Sequence, residues 1–202
     1  MIIIGLTGGI ATGKGVVNRT WSAIPGVLVK DADLVVRQLY EAGSPLVDQL
    51  VEAFGDSVLN EDGSINRKAL GGIVFNDEDA RQKLNALVHP AVYEAYAKLA
   101  AEAEQQGVEV FVIEAALTLD SDPDHSFHDA FVTTDVEESE QLRRLIKRDG
   151  LSEEDALRRI RAQLPRKIRN ERADYIIDTS GTIEDTQKRA LEVLEKIRQE
   201  VA

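Results

Sequence analysis

The chain has 202 residues, 43% of them apolar and 30% charged, and its 36 acidic side chains outweigh 24 basic ones to give a net charge of −12. That is the composition of a folded chain long enough for a sizeable core, and a pI near 4.8 argues against a protein that coats nucleic acid or an anionic membrane. Without cysteine, a disulfide scaffold, a thiolate metal site and a cysteine nucleophile are all excluded.

The first predicted element is Ile2 to Leu6, short, apolar and β-branched, as in a strand buried on both faces. Glycines follow, then a helix over Val16 to Trp21. Val27-Leu28-Val29 reads as a second strand, closing on Asp31-Ala32-Asp33. From Leu34 to Gln106 the pattern is helical, broken by the turn Asn60-Glu61-Asp62-Gly63-Ser64. Val108 to Ile113 is a third strand ending at Glu114, Ala130-Phe131-Val132 a fourth, and Tyr175-Ile176-Ile177 a fifth. Asp135-x-x-Glu138 has the form of a capping box for a helix carrying Leu142, Leu145 and Ile146. Ser152 to Arg172 is a further helical stretch, and Thr182-x-x-Asp185 opens the last helix. Strands alternating with helices predict an α/β fold with a mainly parallel sheet of about five strands. The expected division is a core of 1–33, 107–140 and 173–202, a helical substrate subdomain of about 34–106, and a helical lid of about 141–172.

Gly8-Gly9-Ile10-Ala11-Thr12-Gly13-Lys14 joins the first strand to the first helix, the strand–GxxxxGK–helix arrangement of a P-loop. Glycines let successive N–H groups point at phosphate oxygens, while the helix N-terminus and Lys14 add positive charge. The residue after the lysine is ordinarily Ser or Thr, whose hydroxyl binds Mg²⁺; here it is Gly15. Water, Thr12 or Asn18 is left to fill that coordination, so no direct metal ligand is assigned. Ligands of open parallel sheets sit at the carboxyl ends of the strands, which makes Asp31, Asp33 and Glu114 candidates to place Mg²⁺ through water or to accept a hydroxyl proton. The bland alternative for Asp33 is a helix N-cap.

Asp120-Ser121-Asp122-Pro123-Asp124 lacks the Gly and Glu that a calcium loop needs at its sixth and twelfth positions. His125 and His128 beside Asp129 read as a solvated acidic loop, and His89 as a hydrogen-bonded structural residue. Arg143 to Arg172 holds eleven Lys or Arg and five Asp or Glu, a local +6 in a chain whose remaining thirteen basic and thirty-one acidic residues give −18. Arginine is the residue expected where a surface closes over phosphate. With no aromatic residue inside the stretch to stack bases, nucleic acid fits poorly.

Taken together, the P-loop within Leu6-Thr7-Gly8-Gly9-Ile10, Asp31-Ala32-Asp33, Leu84-Asn85-Ala86-Leu87-Val88-His89-Pro90, Gln141-Leu142-Arg143-Arg144, Lys147-Arg148-Asp149, Arg159-Ile160 with Gln163, and Ala173-Asp174-Tyr175-Ile176-Ile177-Asp178 with Ser180-Gly181 resemble the dephospho-coenzyme A kinases over nearly the whole chain. The resemblance implies a P-loop NTPase-like sheet flanked by helices and phosphorylation of the ribose 3′-hydroxyl of dephospho-coenzyme A, with ATP and Mg²⁺, in the last step of coenzyme A synthesis. It places ATP on Gly8, Gly9, Ile10, Ala11, Thr12, Gly13, Lys14, Gly15 and Val16, with Arg144 and Arg148 reaching from the lid. Lys14, Asp33 and Arg144 become the catalytic candidates, and Asp33, His89 and Glu114 the acceptor-binding ones. Three departures stand out: Gly15, the proline missing from Glu114-Ala115-Ala116-Leu117-Thr118-Leu119-Asp120, and Thr179 where Asn is usual. Two other readings stay open, a nucleotide- or coenzyme A-binding homologue with weak or no turnover, and another small-molecule P-loop kinase.

The N-terminus has no basic n-region, its apolar stretch is too short for a signal peptide, and no run approaches the ~20 apolar residues that span a bilayer. A cytoplasmic protein is expected, a monomer or weak homo-oligomer, with ATP and dephospho-coenzyme A as partners and neither nucleic acid nor membrane.

Overall fold

The computed structural model describes residues 1–75, 77–115 and 127–201. Five parallel strands, β1 (Ile2–Gly8), β2 (Val27–Asp31), β3 (Val110–Glu114), β4 (Ala130–Asp135) and β5 (Tyr175–Asp178), form one sheet in the order β2-β3-β1-β4-β5. The helices, in chain order, are α1 (Lys14–Ser22), α2 (Ala32–Leu39), α3 (Pro45–Phe54), α4 (Arg67–Val74), α5 (Glu78–Gln105), α6 (Glu138–Asp149), α7 (Glu153–Arg161), α8 (Arg166–Arg172) and α9 (Ile183–Val201). The chain divides into two compact units, Met1–Asp31 with Ala103–Ala202, and Ala32–Glu102. Segment 141–172 belongs to the first.

β1 lies between β3 and β4, which is why its apolar run has no polar alternation: both faces are covered. On one face Ile4 and Leu6, Val110 and Val112, and Ala130 and Val132 meet Val17 and Trp21 of α1 and Ala190, Leu194 and Ile197 of α9, every one of them buried. The indole N–H of Trp21 donates to the Ala190 carbonyl at 2.8 Å, so the largest core side chain leaves no polar atom unpaired. Gly5 pairs in register with Phe131, and a Cβ there would lie 2.4 Å from the phenyl ring, so only glycine lets ring and strand meet.

The second unit is helical, as its pattern predicts. Leu46, Val47 and Leu50 of α3, with Val58, Ile65 and Leu70, form its core, and Leu84, Leu87, Val88 and Ala91 of α5 pack against it. Its turn closes as expected, with the Asn60 N–H on the Ser64 carbonyl at 2.9 Å and the Ser64 N–H on the Asp62 carboxylate at 2.9 Å. His89 is exposed and precedes Pro90 inside α5.

Several expectations shift. α1 begins at Lys14 rather than Val16, and β3 begins at Val110 rather than Val108. β4 runs through Thr133 and Thr134 to Asp135, three residues past the apolar run, because both threonines are wholly buried. The capping box at Asp135 does not form. Asp135 closes the strand, α6 starts behind Glu137, and the Asp135 carboxylate instead takes both Arg166 N–H groups at 2.8 Å. Thr182-x-x-Asp185 opens the last helix as expected, with a reciprocal cap: the Asp185 N–H donates to the threonine hydroxyl at 3.1 Å, and the Thr182 N–H to the Asp185 carboxylate at 3.0 Å. Among the described residues no helix is long and apolar enough to cross a membrane.

Leu194 is fully buried in the α1–α9 layer. Leu194→Ala is expected to cost about 2–5 kcal/mol of unfolding free energy, since the cavity cannot close over a sheet. Urea titration of Trp21 emission measures it, the chain having a single tryptophan. A cost below about 1 kcal/mol would place α9 outside the cooperative core.

Candidate active site

β1 ends at Gly8 between its two neighbouring strands, at the carboxyl edge where ligands of such sheets sit. The chain then curls through Gly9–Gly13 into α1. Gly13 takes φ 94° at the helix N-cap, a left-handed conformation that favours glycine, and a Cβ there would come 3.3 Å from the Thr179 side chain. Ala11, at φ 60°, is the one non-glycine residue held in that region among the described residues. A Cβ on Gly8 would lie 2.1 Å from the Thr134 hydroxyl, and one on Gly9 2.8 Å from the Gln141 amide nitrogen.

Side chains from elsewhere satisfy the loop's polar groups. The Thr12 hydroxyl donates to the Gly9 carbonyl at 2.8 Å and meets the Thr134 hydroxyl at 2.7 Å. The Thr179 hydroxyl donates to the Thr12 carbonyl at 2.8 Å. The Ile10 N–H donates to the Gln163 carbonyl at 2.7 Å, while the Gln141 amide donates to the Ile10 carbonyl at 2.7 Å. The Thr12 N–H turns back to Gly9 at 3.2 Å, and the Val16 N–H to Gly13 at 2.9 Å. The amides of Ile10, Thr12 and Val16 are therefore used within the protein. Those of Lys14 and Gly15 lie in the first turn of α1, where a helix cannot satisfy its own donors. Such a turn, with Lys14 in it, suits an anion.

The loop, α1 and α6 border a cleft of about 490 Å³ whose walls include Lys14, Gly15, Arg19, Glu114, Arg144 and Arg148. The Lys14 ammonium stands 3.7 Å from the Glu114 carboxylate, which also accepts from the Asn18 amide. Glu114 is the register partner of Asp31 at the ends of β3 and β2, so two carboxylates share that edge. Arg144 donates to the Thr179 carbonyl at 2.6 Å and to Glu140 at 2.7 Å. With Arg143 and then Arg144 bonded to it, Glu140 has its pKa lowered to about 2. Arg148 pairs with Asp149 at 2.7 Å, which holds that carboxyl below its usual range.

The structure thus brings Gly9, Ala11, Thr12, Gly13, Lys14, Gly15, Val16, Arg144, Arg148 and Glu114 to one cleft. Asp33 and His89 belong to the second unit, Asp33 in the first turn of α2 and His89 in α5. The Thr12 hydroxyl is taken up by Gly9 and Thr134 and does not replace the missing P-loop hydroxyl, and Asn18 is engaged with Glu114. His128 is buried against Phe131, with ring centroids 4.6 Å apart, and so is not a solvated loop residue, whereas Asp129 is exposed and accepts from the Ile3 N–H at 2.7 Å. His125, Asp120 to Asp124 and Ala116 to Asp120 lie outside the described residues. Among the described residues no group of three or more His, Cys, Asp or Glu is arranged to hold a metal. Arg19 escaped the sequence analysis. One turn beyond Gly15 on α1, it is legible only once the cleft is built.

Comparison with known proteins completes the picture. The family model for dephospho-CoA kinase matches residues 2–185. The chain belongs to the dephospho-CoA kinase family. A dephospho-CoA kinase of Shouchella clausii is 43% identical over 197 residues, covering 98% of this chain and 99% of that one. A solved protein of Thermus thermophilus superposes with a TM-score of 0.77 at 30% identity, covering 96% of each chain. A dephospho-CoA kinase of Campylobacter jejuni shares the fold, with a TM-score of 0.69 at 22% identity and 98% and 97% coverage. Membership in this kinase family makes the chain a phosphotransferase of coenzyme A biosynthesis that uses ATP.

Arg166 links α8 of this family member to the end of β4 through Asp135. Burial raises the Asp135 pKa, but hydrogen bonds from Arg166 and Asn170 and the charges of Arg166 and Arg169 outweigh it, so the carboxyl sits below its usual range. A carboxyl shifted this way adds stability that is complete above its unfolded pKa of ~3.9 and is lost as pH falls through the folded value. Arg166→Met is expected to destabilise by about 2 kcal/mol near neutral pH. In urea titrations the gap to wild type should narrow below about pH 4; a gap constant down to pH 3 would mean the ion pair contributes nothing.

Proposed function

We propose that the chain transfers the γ-phosphoryl group of ATP to the ribose 3′-hydroxyl of dephospho-CoA. The observation that carries this is the cleft itself: Lys14 at the mouth of a P-loop, facing Arg144 and Arg148, in a chain of this kinase family. Phosphoryl transfer asks little covalent chemistry of a protein and much positioning and charge stabilisation. Lys14 and the first-turn amides of α1 bind the phosphates, and Arg144 and Arg148 take up charge on the transferring group.

In the reaction the acceptor oxygen bonds to the γ-phosphorus as the bond to the bridging oxygen of ADP breaks. Asp33, which the sequence places two residues beyond the end of β2, accepts the hydroxyl proton. The helical unit containing Asp33 and His89 receives the acceptor, and segment 141–172 serves as the lid over ATP. The protein works in the cytoplasm on small molecules, as a monomer or weak homo-oligomer.

Mg²⁺ accompanies ATP in this reading. The donor set tests the fit: Gly15 offers no hydroxyl and Thr12 is engaged, while Asp31 and Glu114 supply two carboxylates on adjacent strands. These residues suit a hydrated ion, which Glu114 and Asp31 would hold through water. When bound, the ion supplies charge neutralisation on the β- and γ-phosphates.

The test is ADP release with dephospho-CoA, shikimate, nucleoside monophosphates or pantothenate as acceptor. Only dephospho-CoA should stimulate turnover; stimulation by another acceptor alone would overturn the assignment. Lys14→Ala should lower kcat by at least about a hundredfold, and near-wild-type activity would remove the P-loop from the mechanism. Asp33→Asn should depress kcat far more than ATP affinity, whereas equal losses would make Asp33 a metal-positioning group. For Gly15→Ser, the nearest atom to a new Cβ is the end of the Arg19 side chain at 3.4 Å, so the hydroxyl fits. It should lower the Mg²⁺ concentration for half-maximal rate, and an unchanged requirement would show that holding through water already suffices.

A further inference from the structure

The two backbone polar groups of Ile10 are both bonded to glutamine side chains from far along the chain. Gln141, buried in α6, gives its amide N–H to the Ile10 carbonyl, and Gln163, just beyond α7, gives its carbonyl to the Ile10 N–H, each at 2.7 Å. An amide side chain presents donor and acceptor at one end, and here each glutamine spends the opposite half. Burying such a group is costly unless it is satisfied. The pair brackets the peptide leading into Ala11, whose φ of 60° is strained for a residue with a Cβ. Gly9, on the other side of Ile10, is bare where a Cβ would press on the Gln141 amide at 2.8 Å.

Gln141 also shares one face of α6 with Arg144 and Arg148, at spacings of three and seven residues. One helix face therefore grips the loop at one end and lines the phosphate cleft with arginine at the other.

We propose that Gln141 and Gln163 are positioning residues for the nucleotide, which hold Ile10 by both polar groups and keep Ala11 left-handed, so that the loop has its phosphate-ready shape before ATP arrives. The inference rests on the ATP-binding reading above. It makes α6 a mechanical link: a displacement that withdraws Arg144 and Arg148 from the cleft also releases Ile10.

The two glutamines have opposite polarity, and that separates positioning from packing. Gln163→Glu keeps the acceptor, and Arg161, Arg166 and Arg169 around the same cavity offset its charge. Gln141→Glu replaces the donor with a carboxylate facing a carbonyl. ATP and ADP binding by calorimetry, hydrogen exchange of the loop peptide and the KM for dephospho-CoA are measured in the full chain. Gln141→Leu, Gln163→Leu and Gln141→Glu should each weaken nucleotide binding by about tenfold or more and speed loop exchange. Gln163→Glu should recover most of the affinity lost in Gln163→Leu, and the KM for dephospho-CoA should stay within about twofold of wild type. Leu variants that bind like wild type overturn the inference, as does a Glu pair with equal effects or a loss shared equally by ATP and dephospho-CoA. Should wild type bind no nucleotide, the kinase reading falls, and loop exchange alone decides whether the glutamines hold Ile10.

Discussion

Between Gly8 and Lys14 the chain passes from a fully bonded strand to the first turn of a helix, with neither ladder nor helix to satisfy it on the way. A backbone that is to offer amides to an anion cannot consume them all itself. The protein resolves this by bringing polar side chains to the loop from four other places: Thr134 at the end of β4, Gln141 in α6, Gln163 beyond α7 and Thr179 beyond β5. Much else in the first unit follows. β4 must stay a strand through Thr134, the turn after β5 must return to Thr12, and the basic helices must dock closely enough for an amide to reach Ile10.

The same requirement explains the bare positions. Gly8 and Gly9 are crowded by the groups that hold the loop, while Gly13 needs the left-handed backbone. Gly15 is different, because nothing but the tip of Arg19 approaches it. Its lack of a side chain answers no steric demand, so the fold accepts it without adjustment.

The sheet and the P-loop were legible because their signals are local: an apolar β-branched run, then glycines, then lysine. The end of β4 was not, because Thr133, Thr134 and Asp135 look like a polar turn, and only the loop they serve and the Arg166 they meet make them strand. Asp135-x-x-Glu138 carried the letters of a capping box, yet a guanidinium thirty-one residues on outcompeted the local bond. Thr182 had no such rival and capped as written. Gln141 and Gln163 stood within motifs that marked the family, but a glutamine's sequence neighbours do not say which distant carbonyl it will meet. Arg19 was invisible for the same reason. Asp33 could be placed at the start of a helix from sequence, and its chemical role depends on the acceptor.

Along the carboxyl edge every strand flanking β1 ends in an acid: Asp31, Glu114, Asp135 and Asp178. Glu114 already holds Lys14, Asp135 holds Arg166 and Asp178 holds Arg189, and Arg148 is likewise kept by Asp149. Within the cleft Lys14, Arg144 and Arg148 are thus each engaged by a carboxylate, those of Glu114, Glu140 and Asp149. An anion that binds there has to exchange for the carboxylates already on Lys14 and Arg148. Exchange of that kind favours a ligand that meets several cations at once over a simple anion, a preference that an arginine count alone does not suggest.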